Sequence, residues 1–357
     1  MNLPNYSAVA KIALLLSAAL LTGCASLSYY AQAVGGHLNI LRHGRPIQTV
    51  IDNSTTPPGL KDKLNTVQRL RQFASRELGL PDNDSYRYYA DLQQPYVAWN
   101  VFAAAEFSVT SKEWCFVFAG CVSYRGYFSE AEAKRYAGGL RAGGYDAYVG
   151  GVTAYSTLGW FNDPILNTFI GYPEHEIAQI IFHELAHQVV YAKNDSAFNE
   201  SFAMTVQYEG MRRWLERYGT PAQRSAYNES LQRKRAFIDL ILKYRGKLAN
   251  LYATRLNDAQ KRALKEQTWG ELQADYTQLT APPGWSKFRF RLAQQPNNAQ
   301  LASIAIYSQL IPAFQNLLAQ CRSELPCFYK QVRILAKLDS ATRNRRLAQL
   351  DYAGNKP

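Results

Sequence analysis

One run in this chain, IFHELAHQV at residues 181–189, constrains the fold most, because it contains the pattern H-E-x-x-H. Residues four positions apart share a face of an α-helix, so His183 and His187 can both direct a ring nitrogen at one ion. Glu184 lies one position round the helix, where it can hold a water molecule without binding the ion. The other residues of the run are uncharged, as expected of a buried helix with one polar strip. A core helix whose histidines only hydrogen-bond locally is the alternative.

A carboxylate after the motif would complete a ligand set. A turn and a second helix over residues 197–215 follow, which together predict a helical hairpin. Glu200, in the first turn of that helix, can come back over both histidines and is the preferred third ligand. Asp195 in the turn and Glu209 further along the helix are the alternatives. His175 lies two turns before the motif, about 12 Å away along the helix, and is a poor ligand.

Two histidines, a carboxylate and a free glutamate are the residues of a mononuclear zinc hydrolase. Zinc takes three protein ligands in catalytic sites and leaves the fourth position to water. We therefore predict one Zn²⁺ per chain, with Glu184 as general base and then acid. A donor to the substrate oxyanion is also needed, and Tyr307 and Tyr155 are candidates, although each can instead be a packed aromatic. Asn199 can bind a substrate amine or simply pack.

The residues around this motif carry a family resemblance. HELAH followed by NESFA at 199–203 resembles the gluzincin metallopeptidases, whose aminopeptidase branch has H-E-x-x-H and then N-E-x-x-A. The chain as a whole resembles a family of bacterial aminopeptidase lipoproteins. The similar stretches are YYAQA at 29–33, GVTAYSTLGWF at 151–161, the H-E-x-x-H hairpin, and NNAQL at 297–301.

The resemblance implies a zinc peptidase, and specifically an aminopeptidase that acts on peptide or protein substrates. An aminopeptidase needs an acidic or amide anchor for the free amine of its substrate. No G-x-M-E-N-type anchor precedes His183 in this sequence. An endopeptidase, an amidase acting on cell-wall peptides and a non-catalytic zinc-binding envelope lipoprotein therefore stay open as alternatives.

The first 24 residues predict the location of the protein. Lys11 precedes an apolar stretch over 12–21, which has the form of a signal peptide rather than a membrane span. Leu-Thr-Gly-Cys at 21–24 has the form of a bacterial lipobox, so we expect a signal peptide over residues 1–23 and lipidation of Cys24. Because residue 25 is Ala rather than Asp, we expect a lipid anchor in the outer membrane of the cell envelope, facing the periplasm. An ordinary signal peptide is the alternative.

The remaining four cysteines form two local pairs with the same spacing. They are Cys115 with Cys121 and Cys321 with Cys327. An exported protein resides in an oxidising compartment. We therefore predict two short-loop disulfides, because the C-x2-C spacing of a cysteine zinc site is absent.

The net charge of the chain is +12, from 40 basic and 28 acidic residues. The excess of basic residues is concentrated after residue 210. An envelope lipoprotein seldom meets nucleic acid, so we expect no nucleic-acid partner. Solvated helix faces explain such charge most simply, and attraction to anionic lipid headgroups is a second possibility.

The pattern of apolar residues predicts an α+β fold that is predominantly helical. It has a zincin-like core, with a small β-sheet before the H-E-x-x-H helix and a C-terminal half of long helices. Residues 24–210 would form the catalytic region, and residues 211–357 would form a helical region that completes the cleft. Residues 151–160 are the candidate edge strand with which an extended substrate could pair. We predict helices over 60–78, 221–250, 258–280, 298–320 and 327–336, and strands within 86–108, 114–124 and 144–155.

Overall fold

A computed structural model describes residues 28–354, except 117–119, 155, 283–284, 286–291, 294 and 308. The structure is mostly helical (63%) with small sheets, which confirms a predominantly helical α+β fold. The predicted signal peptide over residues 1–23, the predicted lipidation of Cys24 and the candidate Tyr155 lie outside the described residues.

Helices and strands alternate in the first half of the described chain, and helices alone make up the second half. The helices are α1 (28–43), α2 (Ile47–Asp52), α3 (Pro58–Arg76), α4 (Glu130–Ala142), α5 (Asn167–Ile170), α6 (Glu174–His187), α7 (Ser196–Tyr218), α8 (Pro221–Tyr252), α9 (Asp258–Thr280), α10 (Asn298–Ile306), α11 (Ile311–Gln320), α12 (Leu325–Ala336) and α13 (Ser340–Gly354). The strands are β1 (Arg45–Pro46), β2 (Tyr88–Ala90), β3 (Ala98–Ala105), β4 (Trp114–Phe116), β5 (Gly120–Val122), β6 (Arg125–Tyr127), β7 (Tyr145–Val152) and β8 (Ile165–Leu166).

The strands form three small sheets that precede α6 in the chain, as the sequence predicts. The largest has the order β6-β3-β7 with antiparallel pairing, and Trp99 at its centre faces Tyr127 on one side and Gly151 on the other. The others have the order β1-β2-β8 and β4-β5. β7 is an edge strand, but it ends at Val152, so the predicted strand over 151–160 is wrong beyond that residue. Residues after it fold into a loop because Leu158 and Gly159 both have positive φ, of 56° and 84°.

The main core lies between α3, α6, α7, α11 and α12. Aromatic rings fill it, with Phe198 5.1 Å from Phe314 and Phe202 5.8 Å from Phe328, measured between ring centroids. All four side chains are fully buried. The predicted boundary between residues 210 and 211 falls inside α7, and the main core contains residues from both sides of it.

The long C-terminal helices match their sequence signals closely. Both α8 and α9 begin at capping boxes, formed by Thr220 with Gln223 and by Asn257 with Gln260. The helix predicted over 298–320 is instead two helices, α10 and α11, because Pro312 has no N–H to donate and disfavours a helical residue before it. The span Asn298–Gln320 is long and apolar enough to cross a membrane, yet 53% of it is buried inside the fold, as in many core helices.

Both predicted disulfides are present. Cys115 and Cys121 face each other across the β4–β5 hairpin, and the bond between them closes it. Cys321 and Cys327 join the end of α11 to the start of α12.

Candidate metal centre

The candidate metal-binding residues lie on the hairpin of α6 and α7. Its turn is fixed by side chains, since Asp195 caps α7 by accepting a hydrogen bond from the Phe198 N–H (2.9 Å). The Asn199 side chain accepts from the Ala192 N–H (2.7 Å) and donates to the Ala192 carbonyl (2.8 Å). These bonds hold the two helices side by side. They occupy both polar atoms of the buried Asn199 side chain, which favours packing over substrate binding for this residue.

Three ligand atoms converge between the helices. Nε2 of His183 lies 3.2 Å from Nε2 of His187 and 3.2 Å from Oε2 of Glu200. Nε2 of His187 lies 3.7 Å from the same carboxylate oxygen. The group fits within 4.8 Å and its side chains are only 8–13% exposed. Two imidazoles and one carboxylate aimed at a single point are a donor set that suits Zn²⁺.

The electrostatics of the cluster suit a cation. Burial lowers the pKa of His187 to about 4, so this ring is neutral and keeps a lone pair on Nε2 or Nδ1. Burial opposes the ionised form of Glu200, but the two histidines outweigh it and lower the pKa of its carboxyl. For His183, burial also favours the neutral ring, while the hydrogen bond and charge of Glu200 raise its pKa overall. An ionised carboxylate beside at least one neutral imidazole is the state from which metals are bound.

The other residues considered as ligands contact side chains outside the cluster. Asp195 forms an ion pair of 2.8 Å with Arg343 in addition to its capping role. Glu209 is held by Arg212 and Arg213 at 2.8 and 2.7 Å. His175 packs its ring against Tyr227, 6.3 Å away between centroids. Of the carboxylates that the sequence leaves open, Glu200 is the one that the fold brings to the two histidines.

Glu184 has the pKa of a general base. Burial is the main cause, and the neighbouring Glu200 and Asp163 add to it while His183 acts against it, so the pKa of Glu184 rises to about 7. A base whose pKa lies near the working pH is the most effective in proton transfer. Strongly shifted carboxyls of this kind cluster at functional sites.

Two buried tyrosines are affected by the charges of the cluster. Tyr307, which follows α10, has its pKa raised by burial and, to a lesser extent, by the charges of Glu200 and Glu184. Tyr124, in the turn between β5 and β6, has its pKa raised by the same causes. Nothing in the sequence distinguishes Tyr124 from the other tyrosines, of which the chain has 24, because its relation to Glu200 and Glu184 depends on the fold.

A lysine from α8 also affects the cluster through its charge. The Lys234 ammonium lies 4.0 Å from the Met204 sulfur and 5.5 Å from the centre of the Tyr208 ring, both on α7. Burial lowers the pKa of Lys234 to about 8, and its charge acts to lower the pKa of His183. Sequence reasoning missed Lys234, because the run Arg233-Lys234-Arg235 has the composition of a solvated helix face.

A cavity of about 480 Å³ is lined by chain neighbours of both tyrosines. These are Ser123, next to Tyr124, and Ile306, next to Tyr307, and the turn residue Asn194 also lines it. The three metal-ligand candidates do not line it, so the cavity does not enclose the cluster.

The fold and the site define a class of protein, namely a predominantly helical α+β chain with a buried His-His-Glu cluster. The chain belongs to the family described as "Putative aminopeptidase", which it matches over residues 28–347. No curated protein and no solved structure matches it. Membership of this family indicates a hydrolase of peptides.

Proposed function

We propose that this protein is a zinc-dependent aminopeptidase of the bacterial envelope, with one Zn²⁺ held by His183, His187 and Glu200. The convergence of those three donor atoms within 4.8 Å carries the proposal. The family assignment supports peptide hydrolysis, and Glu184 supplies the base that such hydrolysis requires. We further propose that the sheets and the α6–α7 hairpin form a zincin-like core.

The residues act in a defined order. Zinc bound at the cluster would polarise the scissile carbonyl and lower the pKa of a bound water towards ~7. Glu184 accepts a proton from the attacking water and passes it to the leaving amine. A tyrosine hydroxyl donates to the oxyanion that develops on the substrate carbonyl. Tyr307 and Tyr124 are the candidates for that donor, because both have their pKa raised by the charges of Glu184 and Glu200.

One observation favours endopeptidase activity as the second candidate. The Lys234 ammonium lies 4.0 Å from the Met204 sulfur of α7, and its charge acts to lower the pKa of His183. A cation at this position repels the free α-amine that an aminopeptidase must hold. An internal peptide bond, or a cell-wall peptide with a carboxylate near the bond, has no such conflict.

The lipid anchor remains part of this proposal. We infer that Cys24 is acylated after removal of residues 1–23 and that the protein is held at the outer membrane, facing the periplasm. The lipobox at 21–24 supports the anchor, and two disulfides support an oxidising compartment.

The decisive experiment compares the chain starting at Ala25 with its Glu184→Gln variant. Zinc content is measured on both by elemental analysis, and turnover is measured on aminoacyl-fluorophore substrates and on an internally quenched peptide library. We expect one equivalent of zinc in both proteins and a loss of turnover of about 10²–10⁴-fold in the variant. Glu176→Gln, also on α6, is the matched control and should keep its turnover.

The two substrate panels separate the two candidates. Cleavage of the aminoacyl substrates supports the aminopeptidase, and cleavage of the internal library supports the endopeptidase. Absence of zinc from the purified protein, or equal turnover by Glu184→Gln, would contradict the proposal.

A further inference from the structure

The outward face of α1 is apolar. Tyr30, Val34 and Leu38 follow one another at intervals of four residues, so they form one stripe along the helix. Their exposed fractions are 39%, 58% and 42%. Small residues, Ala31 and Gly35, fill the exposed surface between them.

The inward face of α1 is what fixes the helix to the fold. Tyr29 stacks on Phe116 with ring centroids 5.5 Å apart. Gln32 accepts a hydrogen bond of 3.0 Å from the Phe128 N–H, and Gly36 sits so close to the Phe128 ring that a Cβ there would overlap it. An amide and a glycine therefore face the protein while valine and leucine face outwards. Ile40, on the same inward face, is buried in the main core, so α1 carries apolar side chains both inwards and outwards, whereas the usual surface helix has one apolar stripe.

A loop after β7 continues the same surface. Trp160 is 77% exposed and Phe161 is 49% exposed. The Phe161 ring lies 4.4 Å from the His37 ring of α1, between centroids, so the loop and the helix are neighbours. The loop is also well held, because Asp163 accepts a hydrogen bond from the Thr157 N–H (2.9 Å). A tryptophan presented outwards on a fixed loop is a feature of a binding surface rather than of a fraying segment.

We propose that Tyr30, Val34, Leu38, Trp160 and Phe161, here called the N-terminal apolar patch, insert into the surface of the membrane that carries the lipid anchor. This inference rests on the proposed envelope location. It adds to the proposed lipid tether a fixed orientation of the protein relative to the membrane. Tryptophan and tyrosine favour the membrane–water interface, where an apolar ring and a polar group are both accommodated.

The position of the predicted anchor supports a lipid partner. The described part of α1 starts at residue 28, four residues after Cys24. Four extended residues span at most about 14 Å, so an acylated Cys24 would keep this end of α1 at the bilayer. At the far end of the helix, Arg42 and Arg45 are exposed and can approach anionic headgroups.

A substrate is the competing occupant of the loop. Gly159 lies beside the side chain of Gln188, which follows the metal-ligand candidate His187, so the loop borders the site. A peptide bound there would contact Trp160 but would leave the stripe on α1 unexplained. A lipid surface covers both the stripe and the loop, and it would also hold the metal site close to the membrane.

The test uses the non-acylated chain starting at Ala25, which retains every described element. Its partitioning is measured by co-sedimentation with vesicles of phosphatidylethanolamine and phosphatidylglycerol. We expect the double variant Leu38→Ser/Trp160→Ser to partition at least roughly tenfold more weakly. The matched control is Leu264→Ser/Ile334→Ser, which removes two apolar side chains that are 40% and 50% exposed elsewhere, and it should bind as the parent does.

A second measurement reports insertion directly. Brominated lipids should quench part of the tryptophan fluorescence of the parent, and Trp160→Phe should abolish that quenching while partitioning persists. Equal partitioning of the two double variants, or no partitioning of the parent, would overturn the proposal. The proposal would also be overturned if the Leu38→Ser/Trp160→Ser variant changed the monomer–dimer equilibrium and no vesicle binding were seen. A raised KM for peptides in the absence of vesicles, as the only effect of this variant, would overturn it as well. Glu184→Gln should bind vesicles normally, so failure of the hydrolase proposal and failure of this one are distinguishable.

Discussion

Two helical hairpins in this protein use polar residues in opposite ways. In the α6–α7 hairpin several polar side chains are buried, and two of them, Asn199 at 3% and Glu209 at 7% exposure, have hydrogen-bond or ion-pair partners. In the α8–α9 hairpin the ion pairs that join the two helices lie on the surface. Lys247 and Glu271, 45% and 42% exposed, are 2.9 Å apart.

The difference follows from the cost of removing polar groups from water. A buried polar group destabilises the fold unless it is bonded, so the partners of Asn199 and Glu209 matter to stability. Surface ion pairs contribute little and tolerate replacement. We therefore expect substitutions of buried, bonded side chains in the first hairpin to have large effects, and removal of a surface ion pair in the second to have small ones.

The largest effect should come from removing the carboxylate ligand. Glu200→Gln keeps the shape of the side chain but removes its charge, so zinc affinity should fall at least roughly 100-fold, since even outer-shell changes often cost 10–100-fold. Competition with a fluorescent chelator measures it. Glu216→Gln, an exposed carboxylate on the same helix, is the control. Equal zinc affinity of the two variants would remove Glu200 from the site.

The next effect concerns the turn of the first hairpin. Asn199→Ala removes both hydrogen bonds to Ala192 and leaves a buried N–H and carbonyl without that partner. The free energy of unfolding should fall by about 2–4 kcal/mol. Urea denaturation measures it, with the exposed Asn228→Ala of α8 as the control. A change no larger than in that control would show that the turn does not depend on Asn199.

Asp163, in the loop before β8, and Asp275, in the second hairpin, should affect stability with opposite dependences on pH. Burial raises its pKa from 3.8 to about 6, so the folded chain holds this proton more tightly than the unfolded chain. The free energy of unfolding should therefore fall as pH rises from about 4 to about 6, by roughly 3 kcal/mol, and stay lower above that range. Asp163→Asn should remove this contribution, as urea denaturation at several pH values can measure.

Asp275, in the second hairpin, should affect the pH dependence of stability in the opposite direction to Asp163. Hydrogen bonds from Lys243 and Tyr244 lower its pKa, so its contribution to stability is present above the unfolded pKa and is lost as pH falls through the folded pKa. Asp275→Asn should therefore change the pH profile in the opposite direction to Asp163→Asn. The same direction in both variants would contradict the assignment of Asp163.

The smallest effect should come from the surface pair. Lys247→Ala removes one exposed ion pair and replaces lysine by a good helix former. The midpoint of thermal unfolding should not change beyond the error of the measurement. A clear decrease would show that the second hairpin depends on its ion pairs after all.

Much of the helical structure follows from local signals in the sequence. The limits of α9 at Asp258 and Thr280 are those predicted, because Asn257 supplies a cap that needs no distant partner. Ser129 caps α4 for the same reason. The break between α10 and α11 was missed although Pro312 signals it. The helical α1 was also missed, since Gly35 and Gly36 disfavour a helix until the sheet supports it.

The residues of the candidate site likewise differ in whether local sequence identifies them. The two histidines and Glu184 could be identified from the sequence, because their spacing alone puts them on one helix. The sequence preferred Glu200 as the third ligand but left Asp195 and Glu209 open. The fold brings Glu200 to the two histidines and pairs Asp195 with Arg343, and Glu209 with Arg212 and Arg213. The spacing of residues along the chain cannot show which carboxylate forms an ion pair with another side chain of the folded protein.

The sequence by itself determined the metal-binding pattern, the disulfide pairs and the helices that end at their own caps, because each depends on residues less than about two helical turns apart. Only the tertiary structure decided that the charges of the cluster act on Tyr124, that the charge of Lys234 acts on His183, and that α1 leaves Tyr30, Val34 and Leu38 exposed. These features depend on contacts between distant segments. Their physical basis is the burial of charge and apolar surface, which no short stretch of sequence specifies.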